Sequence, residues 1–464
     1  MQVSASLAGT PEQGGPESGC AGAEKSLSVS LADAVVQSLR NEPHLIVARQ
    51  DALESKADLK AATAPFFPKA QLVVDEERFV PSNGSAPVTV IGNNILGGSK
   101  TYSAYGSISV SWNILSSGRD VAGYKGAQAE VRASNASLYG ELEDTLTAVL
   151  KGYAEVYETR LSVEQQRRSL DLLREIERRA EERYEHGNGT TIAISQSRGA
   201  ALDAEKALNS SCRGLTEKSA SLAKAMGVRL PVDQLLLAVT ALPEAPAQNL
   251  DARAIENIVE NDPRVVSAKE KIAVAEQKLK QTHAAFGPTM SIDARRDYLG
   301  QNVSGLSAAN NTIGPNSYRI GVSFSQPVFP FASEIGAMDK AKAEVRRAQA
   351  VTDQARIDAD ARLRIAISAN LEAEASYRAA KSSLVEAQKV LTLTESLYQA
   401  GRADLDSLAH ARIDWQKAQA EVDTLASQAL LAKWDLERSF QATQFPRTLL
   451  NRLNIELAEL TDED

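Results

Sequence analysis

Little in this chain of 464 residues points to catalysis or to nucleic acid. It has two cysteines, Cys20 and Cys212, and neither sits in a CxxC or Cys/His cluster. Neither a zinc site nor a redox site is suggested, and nothing in their spacing favours pairing them. Four histidines (His44, His186, His283, His410) are scattered, with no HExxH spacing. The four methionines form no cluster that would line a path for soft metals. No triad, metal constellation or phosphate loop appears, so the sequence reads as a non-enzyme without a cofactor. Glycine (27) and proline (16) are too few for a loop-rich protein. Net charge is −9 without a Lys/Arg stripe, which argues against nucleic acid as the main partner. No apolar run reaches the ~18 to 20 residues of a transmembrane helix. The N-terminus lacks the apolar stretch of a secretory signal. Two readings stand at this point: a cytoplasmic protein, or a secreted one whose signal lies outside this sequence.

What is present is a duplication. "NEPHLIVARQDALESKADLKAATAPFFPKA" (41–70) aligns with "NDPRVVSAKEKIAVAEQKLKQTHAAFGPTM" (261–290) at an offset of 220. "AQAEVR" (127–132) aligns with "AKAEVR" (341–346) at an offset of 214, and so does "YEHG" (184–187) with "YQAG" (398–401). Repeated units of this kind are the first feature to settle. The spacing divides the chain into a disordered segment 1–27, a first repeat 28–227, a linker 228–250, a second repeat 251–440 and an acidic tail 441–464. Each repeat reads as a short helix (31–40; 251–260), a helix opened by proline (43–64; 263–284) and two strands around a polar loop. A very long helix follows (119–184; 334–399), then a Tyr-x-x-Gly turn and a returning helix (190–226; 404–440). A helix of that length, roughly 100 Å at ~1.5 Å per residue, needs partners of similar length.

The strands are expected over 69–80, 103–115, 289–299 and 318–329. In "GSISVSWNIL" Ile108, Val110, Trp112 and Ile114 alternate with serines and Asn113, and "YRIGVSFS" alternates likewise. Period two with one apolar and one small polar face makes a two-sided sheet. The strands are ~9 to 11 residues, the length that crosses a bilayer when tilted. Aromatics gather in or beside them, and Tyr102, Tyr105, Trp112, Tyr298, Tyr318, Phe324 and Phe329 are the candidates for membrane girdles. Four strands cannot close a barrel, and open edges do not survive in lipid, so two or three copies must share one. A soluble periplasmic coiled-coil scaffold or adaptor would account for the helices but not for the girdled strands.

In this order of features the chain resembles the TolC-like outer-membrane efflux family, over about residues 28–440. The tandem duplication carries the resemblance, with the "NEP"/"NDP" helix starts, the run "FSQPVFPFASEIGAMDKAKAEV" (324–345) and the Tyr-x-x-Gly turns followed by "LDSLAHAR" (405–412). The resemblance implies a mostly α protomer with membrane β-strands. It implies a homotrimer forming a 12-stranded outer-membrane β-barrel continuous with a 12-helix periplasmic α-barrel. It implies export of cargo delivered by a periplasmic adaptor and an inner-membrane ABC or proton-driven pump, for type I protein secretion or small-molecule efflux. The cell outer membrane, with a periplasmic extension, is the implied location, and its lipid the implied surroundings.

In that family the Tyr-x-x-Gly turns form the closed tip. The constriction candidates are therefore Tyr184, Tyr398, Arg402, Asp404, Asp406, Ser407 and His410, and the adaptor-docking turns are Gly187, Asn188, Gly189, Gly401 and Arg402. The family's usual acid six residues beyond the second glycine is Ser407 here, and nine beyond stands His410. The acids have moved to Asp404 and Asp406, and Asp404 also sits where an N-cap of the returning helix belongs. Cys20 follows "PESG", without the leucine and apolar run of a lipid-attachment motif, so lipidation is not expected there.

Overall fold

The computed structural model describes residues 20, 27–79, 89–91, 94–96, 101–187, 189–229, 237–239, 255–302, 306–311, 313–328, 332–400, 402–403, 405–440 and 444–453. The first repeat holds β1 (Leu27–Ser28), α1 (Leu31–Asn41), α2 (Pro43–Ala61), β2 (Lys69–Phe79), β3 (Thr89–Ile91), β4 (Asn94–Leu96), β5 (Thr101–Leu115), α3 (Arg119–Glu185) and α4 (Thr191–Ala225). After β6 (Leu237–Ala238) the second repeat holds α5 (Ile255–Glu260), α6 (Pro263–Ala284), β7 (Thr289–Asn302), α7 (Leu306–Asn311), β8 (Gly314–Ser325), α8 (Ala332–Gln399) and α9 (Leu405–Phe440). The last helix is α10 (Phe445–Arg452). The expected disordered segment lies outside the described residues except for Cys20 and β1, as does most of the linker 228–250.

The repeated Asn-acid-Pro motif has a local cause. The Glu42 side chain accepts from Leu45 N at 2.7 Å, and Asp262 Oδ1 accepts from Arg264 N at 2.8 Å. In each repeat an acid caps the first free N–H groups while proline supplies a first residue that has no N–H to satisfy. Ser30 caps α1 in the same way, accepting from Asp33 N at 3.1 Å.

The residues divide into two compact units, and these are not the two repeats. The first comprises 1–51, 135–266 and 354–464; the second comprises 52–134 and 267–353. Each takes segments from both repeats because α3 and α8 run through both. The first unit has a conventional core. Val35, Leu39 and Leu45 pack with Leu146, Leu150 and Tyr153 of α3 and with Leu215 and Leu222 of α4. Trp434 of α9 is 1% exposed and meets Phe445 of α10 edge to face, with ring centroids 6.4 Å apart. Phe445, Leu449 and Leu450 are buried, so the segment read as a tail contributes part of the core. Tyr153 donates its hydroxyl to Val29 O at 3.1 Å, beside the parallel pair β1–β6. Cys20 and Cys212 form a disulfide with Cα atoms 5.5 Å apart, a pairing for which sequence spacing gave no reason.

The second unit is built on a four-stranded antiparallel sheet in the order β2-β5-β7-β8. Within the connections read as polar loops lie the hairpin β3–β4 and the short helix α7. α7 buries Ala309 completely and holds Glu76 of β2 through Asn310 Nδ2, at 2.6 Å from Glu76 Oε1.

Candidate functional site

The sheet is inside out. Register places Leu72, Ile108, Arg296 and Tyr318 in one row, and Ala70, Val110, Ala294 and Ile320 in the next. Trp112, Ile292 and Val322 follow, and Met290 and Phe324 lie beyond. This apolar face is uncovered: Ile320 is 75% exposed, Val322 66% and Phe324 66%. An apolar patch of this extent, crossing four strands, marks an interaction surface rather than a solvated one. The opposite face carries Ser103, Ser107, Ser109, Asp293, Asp297 and Arg319. There Asp297 accepts from the Tyr105 hydroxyl at 2.7 Å, from Arg295 Nε at 2.6 Å and from Ser317 Oγ at 2.9 Å.

That network corrects one girdle residue. Tyr105 is 8% exposed and lies on the serine face, because period two groups it with Ser103 and Ser107. Trp112, Tyr298, Tyr318 and Phe324 lie on the apolar face. The Trp112 indole donates to Phe66 O at 3.2 Å, and Phe66 meets Tyr124 edge to face. The Tyr102 side chain and Phe329 lie outside the described residues.

The two Tyr-x-x-Gly turns close differently. After α3, Gly187 N donates to Tyr184 O at 3.0 Å with Gly187 at φ +77°, a conformation that suits glycine. A Cβ on Gly189 would stand 2.7 Å from Tyr184 N, so that position also needs glycine. Thr190 then caps α4, accepting from Ala193 N at 3.2 Å. After α8, Arg402 N donates to Leu397 O at 2.8 Å and Ala400 N to Ser396 O at 3.1 Å. Asn188, Gly401, Asp404 and the Asp406 side chain lie outside the described residues. Arg402 and Ser407 are exposed. Tyr398 and Tyr184 are partly exposed, at 38% and 50%. Tyr398 lines a cavity of about 160 Å³ with Leu172, Ile176, Leu408 and Arg412. His410 lines a larger one, about 370 Å³, with Ile176, Arg183, Ala193 and Ile413. Both side chains therefore lie against the first hairpin.

Sequence reasoning missed a brace that occurs twice. Arg198 of α4 reaches Glu181 of α3 at 2.7 Å and Glu177 at 2.9 Å. Arg412 of α9 reaches Glu395 of α8 at 3.3 Å. Arg198 with Glu181, and Arg412 with Glu395, are related by the same offset of 214 that aligns the turns. The duplication itself was the signal that would have found them.

A second group had no such signal. Glu143 of α3 is 2% exposed and accepts from Arg438 Nε of α9, which also reaches Asp144 at 2.8 Å. Arg264 of α6 donates to Asp144, and Arg362 of α8 pairs with Asp262 at 3.0 Å. Glu143, Asp262, Arg362, Asp435 and Arg438 line a cavity of about 320 Å³, and Glu143 Oε2 has no hydrogen-bond partner among the described residues. Burial pushes the Glu143 carboxyl above its ordinary range, although the Arg438 guanidinium beside it pulls the other way. Burial raises Asp435 likewise, again against Arg438. The partners come from separate helices, and no one motif spans them.

The family model described as outer membrane efflux protein matches residues 34–228 and 254–440. The chain belongs to that family. The family consists of outer-membrane channels rather than enzymes, which places the chain in the outer membrane. It is similar to the outer membrane efflux protein BepC of Brucella suis, 25% identical over 247 residues, a match spanning 52% of this chain and 50% of BepC. Its match to protein CyaE of Bordetella pertussis is longer, 22% identical over 421 residues, covering 89% of this chain and 85% of CyaE. The fold is similar to the Campylobacter jejuni CmeC outer membrane channel, with a TM-score of 0.75 at 16% identity over 92% of this chain and 90% of CmeC.

Proposed function

We propose that three copies of this chain form an outer-membrane efflux channel in which twelve strands close one β-barrel and the long helices close a periplasmic tunnel. The uncovered apolar sheet carries this reading. β2 and β8 are its free edges. Strands with unpaired N–H and C=O groups are not stable in lipid, so those edges need partners. The four strands alternate in direction, so β8 of one copy lies antiparallel to β2 of the next in any cyclic ring. Each copy then adds four strands, and three copies give a closed, even-numbered barrel of a size that leaves a lumen. The serine-rich face with Arg295, Asp297 and Arg319 supports a wet interior.

The turns at Gly187, Asn188, Gly189, Gly401 and Arg402 are the ends that dock a periplasmic adaptor, with Tyr398, Asp404, Asp406 and His410 nearby as the constriction. The adaptor links the channel to an inner-membrane pump. An ABC exporter makes it a type I secretion duct, and a proton-driven pump makes it a small-molecule efflux duct. The test is extraction and mass. The protein should require detergent, run at three protomers in native mass spectrometry and conduct ions in planar bilayers. A monomer that stays in the aqueous fraction sinks the reading. Cross-linking from Asn188 or Arg402 should capture the adaptor.

A further inference from the structure

Arg296 interrupts the apolar face of the sheet. Its cross-strand neighbours are Ile108 and Tyr318, and along β7 it stands between Ala294 and Tyr298. On the helix side of it the outward positions of β7 are Ala294, Ile292 and Met290. A cation on a lipid-facing strand is strongly disfavoured at mid-depth and tolerated near the interface. The side chain follows that rule. Its guanidinium carbon lies 5.8 Å from the centroid of the Tyr298 ring, one step toward the β7–β8 connection. The charge is thereby carried away from the aliphatic rows, as long basic side chains do at an interface. Among the described residues no carboxylate forms an ion pair with Arg296. The acid on this face, Glu76, stands two strands away and is held by Asn310.

A second observation comes from the connections at that end of the sheet. The chain carries 60 Asp and Glu in 464 residues, about one in eight. Residues 80–100 and 299–317 contain none, and their one charge is Lys100. In an acidic protein, connections without a single carboxylate, at the end of the sheet where Arg296 and Arg78 of β2 stand on the outward face, fit contact with an anionic layer.

We propose that Arg296, flanked by Tyr298 and Tyr318, binds the phosphate of an outer-leaflet lipid. The planar guanidinium presents paired N–H donors matched to two phosphate oxygens, and tyrosines sit naturally at headgroup depth. This rests on the reading of the sheet as part of a membrane barrel.

The test is native mass spectrometry of the detergent-purified full chain titrated with phosphatidylglycerol, with diacylglycerol and inorganic phosphate as comparison probes. Phosphatidylglycerol should bind, diacylglycerol much less, and inorganic phosphate should not displace the lipid. Arg296→Leu should weaken phosphatidylglycerol binding roughly five-fold, the worth of one interfacial cation. Arg296→Lys, which keeps the charge but not the paired donors, should recover only part of it. Arg296→Gln reads the same loss should the leucine variant fail to assemble. Equal lipid binding by the parent and the uncharged variants overturns the site. Displacement by inorganic phosphate, or diacylglycerol binding as well as phosphatidylglycerol, overturns the lipid-phosphate assignment. A chain that proves water-soluble defeats the barrel itself. A detergent-requiring oligomer with unchanged lipid binding in Arg296→Leu defeats the lipid site alone.

Discussion

Apolar side chains behave in opposite ways in the two units. In the first, Trp434, Tyr153 and Leu215 are at most 1% exposed. In the second, Tyr318 and Ile320 are about three-quarters exposed. On the barrel proposed above, one chain serves two solvents, and the same residue types stabilise the first unit by leaving water and the second by meeting lipid. Polar groups reverse as well. The first unit buries a charged cluster around Glu143, whereas the sheet keeps most of its charges on the serine-rich face and few, Arg296 among them, on the apolar one.

Truncating the buried side should have the largest effect. Trp434→Ala should cost about 3–5 kcal/mol and lower the thermal midpoint markedly, because it empties the contact with Phe445. Ile320→Ala, on the uncovered face, should barely move the midpoint in detergent. An equal drop for both would erase the contrast. Cys212→Ser should cost about 2–4 kcal/mol by freeing Cys20, seen as a lower midpoint and altered non-reducing gel mobility. Val322→Arg should cost about 2–4 kcal/mol of membrane insertion and cut the yield of assembled protein, whereas Ser323→Arg, one residue on and facing the other way, should be tolerated.

Smaller still is a pH effect. Burial raises Glu143 above its unfolded value of 4.5, so the folded state holds that proton more tightly. The resulting stabilisation is complete below pH 4.5 and is lost as pH rises through the higher folded value. Glu143→Gln should flatten the dependence of the midpoint across that window. Smallest is Gly187→Ala, about 1 kcal/mol for forcing a Cβ into positive φ, best seen as faster hydrogen exchange around residues 186–190.

The helices and strands were legible because period and punctuation act locally. Proline after a capping acid marks α2 and α6, and serine alternation marks β5. The orientation of Tyr105 was equally legible, since alternation alone puts it with the serines. The number of aromatics near a strand says nothing of which face each one takes. The remainder is long-range. Nothing in the stretches around Cys20 and Cys212, separated by 192 positions, announces that they meet. Glu143, Arg264 and Arg438 sit on three helices whose facing sides are set by packing. The helix α7, with its six residues, is held by Ala309 and Asn310 contacts rather than by its own propensity.

The disulfide has a consequence for how the two repeats regain their shape. The offset that aligns the turns places Ala426 opposite Cys212, so the covalent ring encloses part of the N-terminal segment and most of the first repeat, and nothing of the second. Unfolded under oxidising conditions, that half remains a closed loop from Cys20 to Cys212 holding β2, β5 and α3, while the second half is an open chain. The loop has fewer conformations to search. The duplicated halves thus enter folding as unequals: a tethered half that starts near its own ends, and a free half that must find them.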